Sequence, residues 1–242
     1  MGFAMADEAL MSEPDAAALA ARYGHLAGEA LLRPMIGEFR GRICLVSSFG
    51  AEAAVLLHMV AAIDKATPVL FLDTQKHFPA TLAYRDTLVA ELGLSDVRSL
   101  TPDPETVQAR DPDGTLWQRN PDACCALRKV VPLNRALTGF SAWISGRKRY
   151  HGGERGSLPV IEPDGPRIKL NPLAPWSSEQ LGCEFTTRGL PPHPLAAQGY
   201  RSIGCMPCTT PGAPADDPRA GRWAGLDKTE CGIHESWMSS GL

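Results

Sequence analysis

Residues 43–73 read ICLVSSFGAEAAVLLHMVAAIDKATPVLFLD. Two short runs within it, ICLVSS (43–48) and PVLFLD (68–73), are almost unbroken in apolar character until a small or acidic residue ends each. Between them, AEAAVLLHMVAAI (51–63) is apolar over a helical length. A strand buried on both faces shows no polar alternation, and two such strands around a helix indicate parallel pairing. Outward from this unit the pattern repeats. Residues 77–92 predict a helix, and DVRSL (96–100) predicts a third strand before another helix. After a polar, Pro-rich stretch at 101–122, residues 123–138 predict a helix and SAWISG (141–146) a fourth strand. Upstream, DAAALAARYGHLAGEALLR (15–33) predicts one Ala/Leu-rich helix. The expected fold class is α/β, a mostly parallel twisted sheet with helices on both faces.

Beyond about residue 150, Gly and Pro become frequent, strand signals are short, and one helix is expected at 177–188. We read a single α/β domain over 1–242. It has an N-terminal helical region (1–35), a core (36–200) and an irregular C-terminal segment (201–242). The chain of 242 residues is 44% hydrophobic and 21% charged, ordinary globular usage. Its 24 basic and 27 acidic residues leave a net charge of −3, so no global field draws in nucleic acid, and any anion site must be local. No apolar run is long enough to span a membrane. The start, MGFAMADEALMSEPD, carries acids where a secretory signal carries Lys or Arg, so a cytoplasmic location is expected.

Ligands of open α/β sheets sit beyond the carboxyl ends of the strands. The first such loop, Ser47-Ser48-Phe49-Gly50-Ala51-Glu52, offers small side chains and a helix N-terminus. Alone it reads better as a helix cap with a tight turn, and it is not a Walker loop. Asp73-Thr74 has the same two readings. A stronger anion signal is Gly146-Arg147-Lys148-Arg149, running into His151-Gly152-Gly153-Glu154-Arg155 after the fourth strand.

Seven cysteines, an odd number, make a poor disulfide framework and favour metal or thiol chemistry. Cys124-Cys125 and Cys205-Met206-Pro207-Cys208 form two pairs that suit structural zinc, a [4Fe–4S] cluster or a redox dithiol. Adjacent thiols fit one tetrahedral ion awkwardly, which favours a cluster modestly. Cys231 stands apart in KTECGIH (228–234), with Lys228 and His234 nearby in sequence, and reads as a nucleophile. Cys44 and Cys183 read as buried small hydrophobes.

Several of these motifs coincide in one family. SSFGAE (47–52), FLDT (71–74), CCALRKVVPL (124–133), SAWISGRKR (141–149), NPLAPW (171–176), GYRSIGCMPCT (199–209), RAGRW (219–223) and KTECGIH (228–234) occur in family order. With them the chain resembles the assimilatory adenylylsulfate (APS) reductases of the PAPS/APS reductase family. The resemblance implies an adenine-nucleotide α-hydrolase-like fold and reduction of APS to sulfite and AMP through an enzyme S-sulfocysteine. It implies that Cys124, Cys125, Cys205 and Cys208 ligate one [4Fe–4S] cluster and that Cys231 is the nucleophile. Ser47, Ser48, Gly50, Leu72 and Thr74 would hold the adenosine. Lys129, Arg147, Arg155, Arg219 and Arg222 would surround the phosphosulfate, with Gly146 in the same loop. Thioredoxin or a similar dithiol would be the reductant, and a homo-oligomer stays open. The chain departs from the family at Gln75, where Gly is usual, and at Glu154, where Thr is common.

Sulfuryl transfer to a thiolate brings negative charge toward a dianion, so a clamp of cations is required. Cys231 must meet substrate and later a protein reductant, which asks for a movable segment; the Gly/Pro content of 211–225 suits that. Three other functions compete. A PAPS or dual-specificity reductase needs further cations for the 3′-phosphate, and in the family the cluster cysteines accompany APS use. An ATP-pyrophosphatase-type ligase needs a fuller SGGxDS-type loop than Ser47–Glu52 supplies. An iron–sulfur sensor needs neither Cys231 nor the clamp.

Overall fold

The computed structural model describes residues 15–212, 214 and 217–235. The start of the chain and part of the 211–225 stretch (213, 215 and 216) lie outside the described residues. Six strands form one sheet: β1 (Ile43–Ser47), β2 (Val69–Leu72), β3 (Val97–Leu100), β4 (Ala142–Ile144), β5 (Ile161–Asp164) and β6 (Arg167–Leu170). Their order is β3-β2-β1-β4-β6-β5, with only β5–β6 antiparallel. The apolar runs that predicted strands are the sheet's centre, and every residue of β1, β2 and β4 is buried. From β1 the chain winds outward to β2 and β3, then returns to place β4 on β1's other side. The switch point therefore lies between β1 and β4, where a crevice opens at the strands' carboxyl ends.

The helices are α1 (Ala16–Tyr23), α2 (Gly28–Glu38), α3 (Ala53–Ile63), α4 (Pro79–Leu92), α5 (Pro104–Arg110), α6 (Leu116–Arg119), α7 (Pro121–Cys125), α8 (Val131–Leu137) and α9 (Ser178–Thr187). The single helix expected at 15–33 is two. α1 starts at the Asp15 cap, whose carboxylate accepts from the Ala17 and Ala18 N–H groups, and ends at Gly24. Gly28 then takes φ +52 with the Trp176 ring 2.8 Å from where a Cβ would sit, so a side chain is excluded there. α2 also runs through Pro34, beyond the expected end, because Leu31, Leu32, Met35 and Ile36 bury its inner face. That burial outweighs a mid-helix proline cost of about 3 kcal/mol.

The helix expected at 123–138 is continuous but not uniform. α7 passes into a π turn, Ala126–Val130, before α8. Pro132 has no N–H for the Arg128 carbonyl, and the wider turn just before it absorbs the mismatch. The β5–β6 hairpin was not legible as strands. Asp164-Gly165 was the available signal, with Gly165 at φ +59 in the turn. No helix among the described residues is long and apolar enough to cross a membrane.

Candidate active site

A cleft opens over the β1–β4 switch point. All the residues expected to contact substrate line it: Ser47, Ser48, Gly50, Leu72, Thr74, Lys129, Gly146, Arg147, Arg155, Arg219 and Arg222. Cys231 and Cys205 line it too. A smaller cavity adjoins it, bounded by Cys124, Cys125, Cys205 and Cys208; Lys129 and Cys205 face both spaces.

The loop after β1 is tightly made. Phe49 sits at φ +49, fully buried and edge-on to Phe71 at 5.5 Å, and its N–H donates to Ser47 Oγ at 3.2 Å. A Cβ on Gly50 would stand 3.0 Å from the Ile203 carbonyl oxygen, so glycine lets the C-terminal part close over this loop. Glu52, next in line, was not expected to matter. Its carboxylate accepts from Lys148 Nζ at 2.7 Å, His151 Nε2 at 3.2 Å and Tyr150 Oη. Burial alone would push that carboxyl up, but Lys148 and His151 hold it well below the carboxylate range. Lys148 is thereby neutralised.

At the end of β2, Thr74 Oγ1 lies 3.2 Å from Cys205 Sγ. Gln75 adopts φ +60, the left-handed conformation that the usual glycine takes freely and other residues at about 1 kcal/mol. Its N–H donates to Asp73 Oδ1 at 2.9 Å, and its side-chain oxygen accepts from Arg128 at 3.4 Å. Arg128, also unforeseen, donates to the Thr74 carbonyl at 3.0 Å and to Asp111 Oδ2 at 2.7 Å. It ties the π turn to the carboxyl end of β2. The second departure, Glu154, is exposed and outside the cleft lining.

The basic loop after β4 splits. Arg147 pairs with Glu162 and Lys148 with Glu52, while Arg149 turns away to the Leu158 carbonyl at 2.8 Å. Arg155 pairs with Glu230. Of the five cations expected around the anion, Lys129 and Arg222 alone have no carboxylate partner among the described residues. Both lie against Trp223, with Lys129 Nζ 5.9 Å and the Arg222 guanidinium 4.6 Å from the ring centroid. Arg219 and Lys228 face the same indole at 5.9 and 5.5 Å. Trp223 is buried at φ +52, anchored by its N–H to the Cys208 carbonyl at 3.0 Å. Gly204 admits Arg222: a Cβ there would lie 2.2 Å from Nη2.

Lys129 stands 3.8 Å from Cys125 Sγ, one turn on from it. Burial opposes its charge, but the neighbouring Cys205, Cys231 and Cys125 raise its pKa above the lysine range. Burial pushes the Cys125 thiol up to about 11, and those of Cys124 and Cys208 upward as well. The four paired thiols line one small cavity, and among the described residues no group of three or more Cys, His, Asp or Glu is placed to hold a single metal ion. Cys44 is buried as expected, but Cys183 is exposed, because α9 buries only Leu181.

The other side of Cys231 rests on the sheet. His234 stacks on Trp143 of β4 at 5.6 Å with the rings 4° from parallel, and its carbonyl accepts from Lys169 at 3.2 Å. Burial, with Arg147, Lys169, Arg155 and Arg219 around it, holds that imidazole well below its usual pKa and hence neutral. Five buried polar atoms around the cleft have no hydrogen-bond partner among the described residues: His77 Nδ1, Arg147 Nε, Arg222 Nε, Trp223 Nε1 and His234 Nδ1. Arg147 Nε, Arg222 Nε and Trp223 Nε1 are donors, whereas His77 Nδ1 is an acceptor, because the neutral ring donates from Nε2 to the Leu72 carbonyl at 2.8 Å. Buried polar groups are ordinarily paired, so this concentration marks where a ligand's polar groups belong.

Comparison with known proteins points the same way. Residues 42–211 match the phosphoadenosine phosphosulfate reductase domain. The chain is 52% identical over 227 residues to an adenosine 5'-phosphosulfate reductase of Chelativorans sp. (strain BNC1), covering 93% of each. It is 42% identical to a phosphoadenosine 5'-phosphosulfate reductase of Gloeobacter violaceus, covering 90% of this chain and 92% of that one. Among solved structures, PAPS reductase from Candida auris in a phosphate complex superimposes with a TM-score of 0.67 at 27% identity, over 81% of this chain and 96% of that one. Matches of this extent, on a sheet whose switch-point cleft carries the expected residues, make the chain a member of the phosphoadenosine phosphosulfate reductase domain family.

Proposed function

We propose that the protein is an assimilatory APS reductase that yields sulfite and AMP, using Cys231 as nucleophile and thioredoxin or a similar dithiol as reductant. The observation that carries this reading is the gathering around the Cys231 cleft of three unpartnered buried donors, Arg147 Nε, Arg222 Nε and Trp223 Nε1, with two cations, Lys129 and Arg222, that have no carboxylate partner among the described residues. Lys129 and Arg222 meet the phosphosulfate first. Arg147, Arg155 and Arg219, each already beside a glutamate, form an outer ring. Ser47, Ser48, Gly50, Leu72 and Thr74 take the adenosine along the carboxyl ends of β1 and β2, with Gly146 opposite.

The Cys231 thiolate attacks the sulfur of APS. The bond from sulfur to the bridging oxygen breaks, AMP leaves with the electron pair, and Cys231 carries the sulfonate. Cations around the sulfur lower the cost of bringing thiolate and dianion together. A thiolate of the reductant then attacks Cys231 Sγ, and sulfite departs with the electron pair. The reductant's second thiol resolves the mixed disulfide, restoring Cys231 as a thiol.

Cys124, Cys125, Cys205 and Cys208 suit a [4Fe–4S] cluster: all four line one small cavity, and a cubane, offering a separate iron to each sulfur, tolerates the adjacent Cys124-Cys125 pair better than one tetrahedral ion does. Bound there, it would fix the 121–137 helix to the 205–208 turn and contribute to the field at the anion site. Both sulfur-transfer steps are two-electron nucleophilic events that need no electron from iron. APS rather than PAPS is the expected substrate because, in the family the chain resembles, the four paired cysteines accompany APS use. The test is sulfite release by purified protein given APS or PAPS with thioredoxin, alongside metal analysis. Sulfite from APS with about four irons per chain supports the reading. No sulfite from either substrate, or one zinc per chain, refutes the corresponding part.

A further inference from the structure

Glu230 lies between two arginines, one residue before Cys231. Arg155 meets it with two nitrogens, Nε to Oε1 and Nη2 to Oε2, the latter at 2.8 Å. Arg219 Nη2 reaches Oε2 at 3.3 Å and also donates to the Thr229 carbonyl at 2.7 Å. All three side chains are largely buried, at 11, 15 and 20% exposure for Arg155, Arg219 and Glu230. Behind Arg155 stands His151, its Nδ1 3.2 Å from Arg155 Nη1.

We infer that Glu230 is a positioning residue: by bridging Arg155 and Arg219 it seats the segment that carries Cys231 and fixes where that thiol stands in the cleft. Only the role of Cys231 as nucleophile is taken from the function proposed above. Residues 224–235 form no helix or strand, so backbone pairing does not hold them. Their seat must come from side chains. On the far side of Cys231 the grip is the Ile233 and His234 contact with Trp143, together with Lys169. On the near side it is Glu230, with Lys228 paired to Asp122 and Arg219 donating to the Thr229 carbonyl beside it.

The electrostatics support that division. Burial and the charge of Arg155 push the Arg219 pKa down to about 10, so two guanidiniums stand in an unfavourable approach. Burial raises the Glu230 carboxyl, but Arg155 and Arg219 overcome it and keep the group ionised. The Arg155 main chain closes the 153–155 turn through its N–H to the Gly152 carbonyl at 3.1 Å, and its guanidinium is braced by His151 Nδ1 at 3.2 Å. A two-nitrogen contact to a fixed arginine defines orientation as well as distance. Without the carboxylate, two like charges face each other and the segment lifts.

The experiment reads Cys231 directly in the substrate-free holoenzyme, as its iodoacetamide alkylation rate followed by peptide mass spectrometry. Glu230→Gln should speed alkylation about 30-fold, the lower end of the scale for truncating one partner of a buried charge pair. Glu230→Asp, one methylene short, should fall between. Glu230→Gln/Arg155→Met should be no faster than the faster single variant, because both changes break one contact. In turnover with APS, Glu230→Gln should lower kcat without raising KM. Unchanged alkylation, additive effects in the double variant, or a loss expressed wholly in KM would each overturn the assignment. Failure of the functional reading looks different: wild-type protein would make no sulfite while the alkylation pattern held.

Discussion

The sheet and the C-terminal segment build opposite walls of one cleft by different means. β1, β2 and β4 are buried at every position, and their backbone is held by parallel ladders. Residues 201–235 contribute isolated bridges, His77 to Cys205 and Thr209 to Arg222, and are otherwise fastened by charges, an indole and turns. Yet Arg219, Arg222, Cys231 and two of the four paired thiols come from that second wall. A wall of packed strands places loops without adjusting to the ligand. A wall of ion pairs and cation–π contacts leaves cations such as Lys129 and Arg222 on an indole face, where a phosphosulfate can meet them without displacing a carboxylate. The proposed chemistry, which uses one thiol first on a nucleotide and then on a protein, calls for one wall of each kind.

The largest expected effect comes from the thiol itself. Cys231→Ser should abolish sulfite formation while leaving iron content intact, since Cys231 is outside the cavity that the four paired cysteines surround. Mass spectrometry of wild-type protein incubated with APS and no reductant should find the sulfonate on Cys231. Turnover by the serine variant would break the comparison, because the second wall would then hold no essential nucleophile.

Next comes Lys129, the cation that belongs to the first wall through its helix but faces the thiols of the second. Lys129→Ala should lower kcat/KM about 100-fold, the scale of removing one charge-stabilising donor, with iron retained. A near-neutral result would mean that the Cys125–Lys129 approach of 3.8 Å has no part in the reaction. Trp223 should rank third. Trp223→Leu keeps apolar bulk but removes the face against which Lys129, Arg219, Arg222 and Lys228 rest. At about 0.5–2 kcal/mol per cation–π contact, KM for APS should rise about tenfold, with recovery in Trp223→Phe. A change in kcat alone would assign the indole to another task.

The two walls also differed in how far the sequence disclosed them. Continuous apolar runs such as VLFL identify buried parallel strands without reference to anything distant, so the sheet's centre was legible. The hairpin at 161–170 was not, because IEPD and RIKL alternate weakly and the Asp164-Gly165 turn was the only sharp signal. In the site, the cysteines and cations were found by type and motif. Their carboxylate partners Glu52, Glu162 and Glu230 were not, because a pairing such as Glu52 with Lys148 depends on which loops the switch point brings together. Trp223 stood inside a quoted motif, but its place among four cations exists only in three dimensions.

The smallest effect concerns the joint where the walls meet. His193 precedes the turn at Pro194–Gln198 that leads into the C-terminal segment. Its Nδ1 accepts from the Leu195 N–H at 3.1 Å, so that nitrogen carries no proton, and Nε2–H donates to Thr81 Oγ1 of α4 at 3.0 Å. The ring packs on Tyr84 at 4.8 Å, and burial pushes its pKa down to about 4 from an ordinary 6.5. The folded state therefore favours the neutral ring. That preference is fully present above pH 6.5 and is lost as pH falls from 6.5 toward 4, where a proton on Nδ1 would evict the Leu195 N–H. His193→Asn offers an oxygen for the same cap and does not titrate. Its Tm should fall less steeply than wild type between those pH values, and amide exchange at Leu195 should accelerate on acidification only in wild type. Parallel Tm profiles would show that this joint is held by packing against Tyr84 and not by the neutral imidazole, and the boundary between the walls would then be as insensitive to pH as the sheet.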